Sequence, residues 1–101
     1  MTIYEKLVAH REEILRIAAR RGAFNVRVFG SVARGEADEC SDVDLLVEME
    51  AGRSLLDVGG LYMDLHDLLG CEVDVVTQGA LHGEFGKRVL LDARPLEELA
   101  A

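Results

Sequence analysis

Apolar residues near the start of the chain recur at the spacing of one face of an α-helix. They follow Thr2, and Glu5 lies three residues beyond it, which is the spacing of an N-terminal capping box. We therefore predict a first helix from about Ile3 to Arg21, with Gly22 as its C-terminal stop. The positions that carry the helical periodicity are Ile3, Leu7, Val8, Ile14, Leu15 and Ala18.

Three short apolar segments have the length and composition of β-strands. Strand one contains Val26, Val28 and Phe29 and ends abruptly at Gly30-Ser31, where we expect a tight turn. A small, polar and acidic segment then leads into strand two, residues 43–47. Strand three comprises residues 72–76.

A second helix is predicted between strands two and three. Ser54 and Asp57 have the spacing of another capping box at its start, and Gly70 marks its end. The pair Gly59-Gly60 in its middle would weaken it by about 1 kcal/mol per glycine.

The last predicted helix extends from about Ala80 to Leu91, ahead of Pro95, which cannot continue a helix. The order helix, strand, strand, helix, strand, helix is a mixed α/β (α+β) pattern, and we expect a single domain over residues 1–101. The long crossover between strands two and three implies that these two strands are parallel. Strands one and two could pair in either direction, because the loop between them is too long for a tight hairpin.

Composition narrows the class of protein. Half of the 101 residues are apolar and 30% are charged, as in a globular domain that buries one core. No apolar segment approaches the ~18–20 residues that span a bilayer, and nothing resembles a signal peptide, so we expect a cytoplasmic protein without membrane contact. The formal charge of −8 argues against generic binding to DNA or RNA. We expect Cys40 and Cys71 to be free thiols.

Acidic residues interrupt the apolar pattern of two strands. Asp42 and Asp44 are two positions apart, so their side chains project from the same side of strand two. Two carboxylates ~4 Å apart repel by about 4 kcal/mol at an effective dielectric constant of ~20, which disfavours the placement for stability alone. A bound Mg²⁺ or Mn²⁺ ion would replace this repulsion between the carboxylates with attraction to the cation. Asp74, flanked by valines in strand three, is a third candidate ligand, and three acids could hold two metal ions ~3.5–4 Å apart.

Each acid also has a simpler interpretation. Asp42 follows Ser41 and could be a turn residue where the strand begins. Asp44 and Asp74 could face solvent on amphipathic strands, because acidic residues are depleted in strands but not forbidden there.

The Gly30-Ser31 pair is a candidate phosphate-binding turn. A backbone without Cβ can approach a ligand closely, and exposed N–H groups of a turn can bind phosphate oxygens. Arg34 follows within one turn and could bind a phosphate through its guanidinium group. An ion pair of Arg34 with Glu36 or Asp38 is the ordinary alternative.

Gly30-Ser31, ten further residues and then Asp42-Val43-Asp44 together resemble the signature of the polymerase-β-like nucleotidyltransferase superfamily. Residues 30–36 (GSVARGE) and 41–47 (SDVDLLV) are similar to its minimal nucleotidyltransferase branch, the MntA-type antitoxins. The resemblance extends over nearly the whole chain and implies a small mixed sheet flanked by helices.

The resemblance also implies residue roles. Asp42, Asp44 and Asp74 would be the catalytic residues that bind two Mg²⁺ ions, or Mn²⁺, with Asp74 helping to deprotonate or position the acceptor hydroxyl. Gly30 and Ser31 would contact the triphosphate of ATP, with Arg34 as a further nucleotide-binding residue.

By the same resemblance, the protein would transfer AMP to a hydroxyl, with tyrosine as the expected acceptor, on a cognate HEPN-domain toxin. It would thus be the antitoxin of a type VII-like toxin–antitoxin pair. Two alternatives stay open: neutralisation by complex formation without catalysis, and transfer to a small molecule such as an antibiotic. Selectivity for the base and homo- or hetero-oligomeric state are not readable from the chain. His82 and Arg88, in the last helix, are interpreted mainly as surface residues.

Overall fold

The computed structural model describes residues 2–37 and 42–99. Four strands form one mixed sheet in the order β3-β2-β1-β4. β2 and β3 are parallel, which confirms the pairing expected from the crossover, and β1 is antiparallel to both β2 and β4. The predicted mixed α/β class is therefore confirmed. The strands are β1 (Ala23–Phe29), β2 (Val43–Met49), β3 (Val73–Thr77) and β4 (Arg94–Pro95).

The N-terminal segment forms two helices, so the prediction of one helix was wrong. α1 is Ile3–Ala9 and α2 is Arg11–Arg20, separated at His10, whose φ of −104° and ψ of 11° leave the helical region. The apolar spacing continues across the break, since residues before and after it are buried in the same core, and the pattern therefore concealed the break. The predicted stop at Gly22 is confirmed by its left-handed φ of +79°.

The first capping box is present as predicted. The backbone N–H of Glu5 donates to Oγ1 of Thr2 at 3.1 Å, and the N–H of Thr2 donates to Oε1 of Glu5 at 3.3 Å. The second box, Ser54 with Asp57, opens α4 (Leu55–Leu69), which ends at Gly70 with a φ of +66°.

Gly60 within α4 has a packing reason that the sequence did not show. A β-carbon there would lie 2.5 Å from the guanidinium carbon of Arg21, which crosses the helix at this point. Arg21 also donates to Asp64 at 3.0 Å, linking the end of α2 to α4. The glycine thus weakens α4 locally but allows this close crossing.

Two further elements differ from the predictions. Gly30-Ser31 begins a one-turn helix, α3 (Gly30–Ala33), instead of a tight turn. The last helix, α5 (Gly83–Asp92), starts three residues later than predicted, after a 3₁₀ turn at Gln78–Ala80.

The C-terminal segment was not predicted to join the sheet. Arg94–Pro95 forms the edge strand β4 beside β1, and proline, which has no N–H to donate, is tolerated in a sheet mainly on such edge strands. A second 3₁₀ turn, Leu96–Glu98, follows, and Leu96 and Leu99 are buried in the main core. Nη1 of Arg11 donates to the carbonyl oxygen of Leu99 at 2.5 Å, which ties the tail to α2.

The two faces of the sheet are covered unequally. Helices α1, α2 and α4 pack on one face and form the main core. Among the described residues, α5 is the helix that packs on the other face, over a small cluster of Phe29, Leu46 and Val89. The cleft described below lies on that second face, between the sheet and α5.

No helix in the described part of the chain is long and apolar enough to cross a membrane. Cys71 is half-buried and carries a free thiol, as predicted. Cys40 lies outside the described residues.

Candidate active site

The alternation of side chains along β2 and β3 brings two carboxylates to the less covered face. Val43 and Leu45 of β2 point into the main core, so Asp44 and Leu46 point toward α5. In the parallel register Asp44 lies directly beside Asp74 of β3. Asp44 is half-buried and Asp74 is exposed, so the amphipathic-strand interpretation describes the placement of Asp74 but not that of Asp44.

Asp42 is less closely involved. It is exposed and precedes β2, so it is not part of the ladder. Its negative charge nevertheless contributes to the raised pKa of Asp44.

Asp44 lies in surroundings that oppose its ionisation. Burial, and after it the charge and hydrogen bond of Asp74 and the charge of Asp42, together raise the pKa of Asp44 to about 6, although the guanidinium group of Arg34 acts in the opposite direction. Like charges at this position oppose ionisation of both carboxyls together. A divalent cation bound beside the carboxyl groups would offset this repulsion and favour their ionisation.

Gly30 packs against the same carboxyl group. Its φ is +72°, and a β-carbon at this position would overlap Oδ2 of Asp44. The backbone at the start of α3 therefore passes beside the acid, as a phosphate-binding segment next to a metal ligand would. Ser31, the next residue, is half-buried in α3 and does not line the cleft.

Arg34 adopts the ion-pair alternative while remaining at the site. Its Nε lies 3.2 Å from Glu36 and its Nη1 lies 2.7 Å from Asp92 of α5. Asp38, the other predicted partner, lies outside the described residues. Arg34 also lines the cleft that contains Asp44, so it is near enough to contribute to anion binding there.

These groups open into a cleft of about 310 Å³ between the sheet and α5. A larger cleft of about 570 Å³ lies between α2 and α4, but none of the predicted site residues lines it. The smaller cleft is lined by the carboxyl groups of Asp44 and Asp74 and by the backbone of Gly30, so it is the candidate active site. Its lining residues are Phe29, Gly30, Arg34, Asp44, Asp74, Val76, Phe85, Arg88, Val89 and Asp92.

The wall formed by α5 was missed at the sequence level. Arg88 was interpreted mainly as a surface residue, and Phe85 and Asp92 were not considered as site residues. Helical spacing places Phe85, Arg88, Val89 and Asp92 on one side of the helix, so the sequence contained a signal that they act together. It did not indicate which face of the sheet this side would meet.

The donor chemistry suits a hard divalent cation. Mg²⁺ typically takes one or two protein carboxylates together with substrate phosphates and water, which Asp44 and Asp74 can provide. Within residues 2–37 and 42–99, no three His, Cys, Asp or Glu side chains converge closely enough to hold an ion without other ligands. Phosphate oxygens would therefore complete such a site.

Comparison with known proteins identifies the family of the chain. The model of the nucleotidyltransferase domain family matches residues 11–96. The protein adenylyltransferase MntA of Thermococcus cleftensis is 44% identical over 84 residues, which are 83% of this chain and 82% of the relative.

Two solved structures share the fold. One chain, assigned as a minimal nucleotidyltransferase, superposes with a TM-score of 0.83 at 52% identity, covering 94% of this chain and 96% of its own. A toxin–antitoxin crystallised with AMP-PNP superposes with a TM-score of 0.72 at 20% identity, covering 84% and 70%, and supports the fold alone. The chain belongs to the nucleotidyltransferase domain family, in its minimal, MntA-type branch of protein adenylyltransferases.

Proposed function

We propose that this nucleotidyltransferase transfers AMP from ATP to a hydroxyl group of a partner protein, using Mg²⁺ ions bound by its carboxylates. The observation that carries the proposal is the alignment of Asp44 and Asp74 at one register position, beside the closely packed backbone of Gly30. Carboxylates on one side and a close backbone on the other suit a metal-bound triphosphate.

The residues then have distinct roles. Asp42, Asp44 and Asp74 would hold two Mg²⁺ ions, for which Mn²⁺ could substitute, together with phosphate oxygens of the nucleotide. Bound there, the ions neutralise charge on the phosphates and on the departing pyrophosphate. The backbone at Gly30 contacts the triphosphate, and Arg34 adds positive charge at the same cleft.

The reaction requires an acceptor hydroxyl close to Asp74, which is exposed at the edge strand of the sheet. The hydroxyl oxygen attacks the α-phosphorus of ATP, and the bond from that phosphorus to the bridging oxygen of the β-phosphate breaks. Pyrophosphate leaves with the bonding electrons, and Asp74 takes up the hydroxyl proton. Positioning and charge stabilisation account for most of the rate in such transfers.

The partner we propose is a cognate HEPN-domain toxin, with a tyrosine as the acceptor, so that the protein is the antitoxin of a toxin–antitoxin pair. Support comes from a relative named as a protein adenylyltransferase and from a structural relative that is a toxin–antitoxin crystallised with AMP-PNP. Complex formation without catalysis and transfer to a small molecule are alternatives that the following experiment distinguishes.

The test incubates the protein with Mg²⁺, the partner toxin and ATP labelled in either the α- or the γ-phosphate. We expect α-label on the toxin, no γ-label, and loss of both label and neutralisation in Asp44→Asn. Asp67→Asn is the matched control, because Asp67 is exposed on α4 and lines the other cleft. Full neutralisation by Asp44→Asn without label would favour complex formation, and labelling of aminoglycosides in place of the toxin would favour a small-molecule acceptor.

A further inference from the structure

We propose that α5 recognises the nucleotide through two side chains, with Arg88 pairing with the β- or γ-phosphate and Phe85 stacking on the base. The inference rests on the proposed function and deepens it, because it names the residues that distinguish ATP from smaller nucleotides. Both side chains line the cleft that contains Asp44 and Asp74.

Packing against the sheet fixes the position of α5, which forms one wall of the cleft. Val89, 2% exposed, packs against Phe29 and Leu46 and anchors the helix on the sheet. Phe85 is three residues before Arg88 and four before Val89, so it is a neighbour of both on the helix surface, and all three line the cleft. They therefore face the carboxylates across the cleft from a fixed element.

The charges of the cleft single out Arg88. Arg34, the other cation of the lining, is already held by Asp92 and Glu36. Among the described residues Arg88 has no ion pair or hydrogen bond from its guanidinium group, and it lies on the wall opposite the acids. A triphosphate would bring negative charge to a cleft that is already acidic, and Arg88 offers it a charge-assisted pair.

Phe85 supplies an aromatic surface at the same cleft. Its side chain is 62% exposed and lines the cleft, so a ligand bound there can reach the ring. Val76 and Phe29 add apolar lining below it. A purine ring placed against Phe85 would bury this surface, and base–aromatic stacking contributes about 1–3 kcal/mol, which is about 5- to 150-fold in affinity.

Calorimetry with Mg²⁺ and two probes separates the two contacts. The probes are α,β-methylene-ATP, which cannot be cleaved between its α- and β-phosphates, and AMP. Arg88→Ala should weaken binding of the ATP analogue about 10- to 100-fold while changing AMP affinity less than about threefold. Arg88→Lys should recover part of the loss. Phe85→Ala and Phe85→Leu should weaken both probes by the same factor.

Matched controls lie on the outward side of α5. Lys87→Ala removes a cation from an exposed position and Leu91→Ala removes an exposed apolar side chain, and both should bind like the wild type. Unchanged affinity in Arg88→Ala or Phe85→Ala, with wild-type binding intact, would overturn the inference alone. Equal loss of both probes in Arg88→Ala would also overturn it. Absence of analogue binding by the wild-type protein would overturn the inference and the proposed function together.

Discussion

The backbone of Gly30 lies so close to the carboxyl group of Asp44 that a β-carbon at position 30 would overlap its Oδ2 atom. The first residue of α3 and the second residue of β2 meet at this contact. Glycine suits position 30 for two reasons: it has no β-carbon to overlap Asp44, and its φ of +72° lies in the left-handed region that glycine adopts readily.

Gly30→Ala should combine backbone strain with displacement of Asp44. We expect a loss of about 1–2 kcal/mol of folding free energy from the left-handed backbone, and a fall of at least about tenfold in adenylyl transfer, because Asp44 must move. Denaturant unfolding and initial rates measure the two effects.

Gly35→Ala is the control for this substitution. Gly35 has a similar φ of +74°, but a β-carbon there would meet no atom of the described residues within 4 Å. The variant should show the backbone strain without the loss of transfer. Equal transfer rates in the two variants would contradict a role for the Gly30–Asp44 contact.

The raised pKa of Asp44 predicts a pH-dependent stability of the metal-free protein. The pKa is about 6 in the folded state and close to the ordinary value of 3.8 in the unfolded state, so the folded state binds more protons between these pH values. Stability contributed by this group is therefore present at low pH and is lost as the pH rises through 6. At pH 7 Asp44→Asn should stabilise the metal-free protein by about 1–2 kcal/mol, a value reduced for solvent screening.

Unfolding followed by circular dichroism in EDTA from pH 4 to 8 checks this expectation. The difference between Asp44→Asn and wild type should shrink as the pH falls toward 4. Asp67→Asn provides the comparison for an exposed acid on α4. A destabilised Asp44→Asn at pH 7 would show that the carboxyl contributes favourable contacts that outweigh its burial.

Mg²⁺ should reverse the sign of the Asp44 contribution. Ligands that bind only the native state stabilise it by mass action, by about 2.7 kcal/mol at a hundredfold excess over Kd. The Tm of the wild type should rise with Mg²⁺ and ATP and return to its starting value on addition of EDTA. The rise should be absent in Asp44→Asn and reduced in Asp42→Asn and Asp74→Asn. An undiminished rise in Asp42→Asn would remove Asp42 from the site.

The two central glycines of α4 should respond differently to alanine. A β-carbon at Gly59 would meet no atom of the described residues within 4 Å, whereas one at Gly60 would overlap the guanidinium group of Arg21. Gly59→Ala should stabilise the protein by about 1 kcal/mol through helix propensity. Gly60→Ala should stabilise the protein less than Gly59→Ala does, because it disturbs the Arg21–Asp64 ion pair. The difference between the two variants should be up to about 1 kcal/mol.

Thermal unfolding of both variants in the wild-type and Arg21→Ala backgrounds measures this coupling. The difference between the two alanine variants should disappear without Arg21. If the stability difference persists without Arg21, its cause lies in the helix itself and not in the Arg21 side chain that crosses it.

Features that depend on near neighbours in the chain were predictable. Both capping boxes, at Thr2 and Ser54, and the glycine stops at Gly22 and Gly70 appear where the sequence places them. Such features arise within about one helical turn, so the residues that form them are adjacent in sequence. The crossover between β2 and β3 was also predictable, because a parallel pair needs a long connection.

Other features depend on contacts between distant segments. The break at His10 is concealed by apolar spacing that continues across it, and β4 is a strand only because two residues meet β1. The cleft arises because α5 covers one face of the sheet incompletely, which places Arg88 and Phe85 opposite Asp44. The sequence determines which residue types are available for this chemistry. Whether they meet depends on which strands and helices become neighbours, and the burial of the whole core decides that.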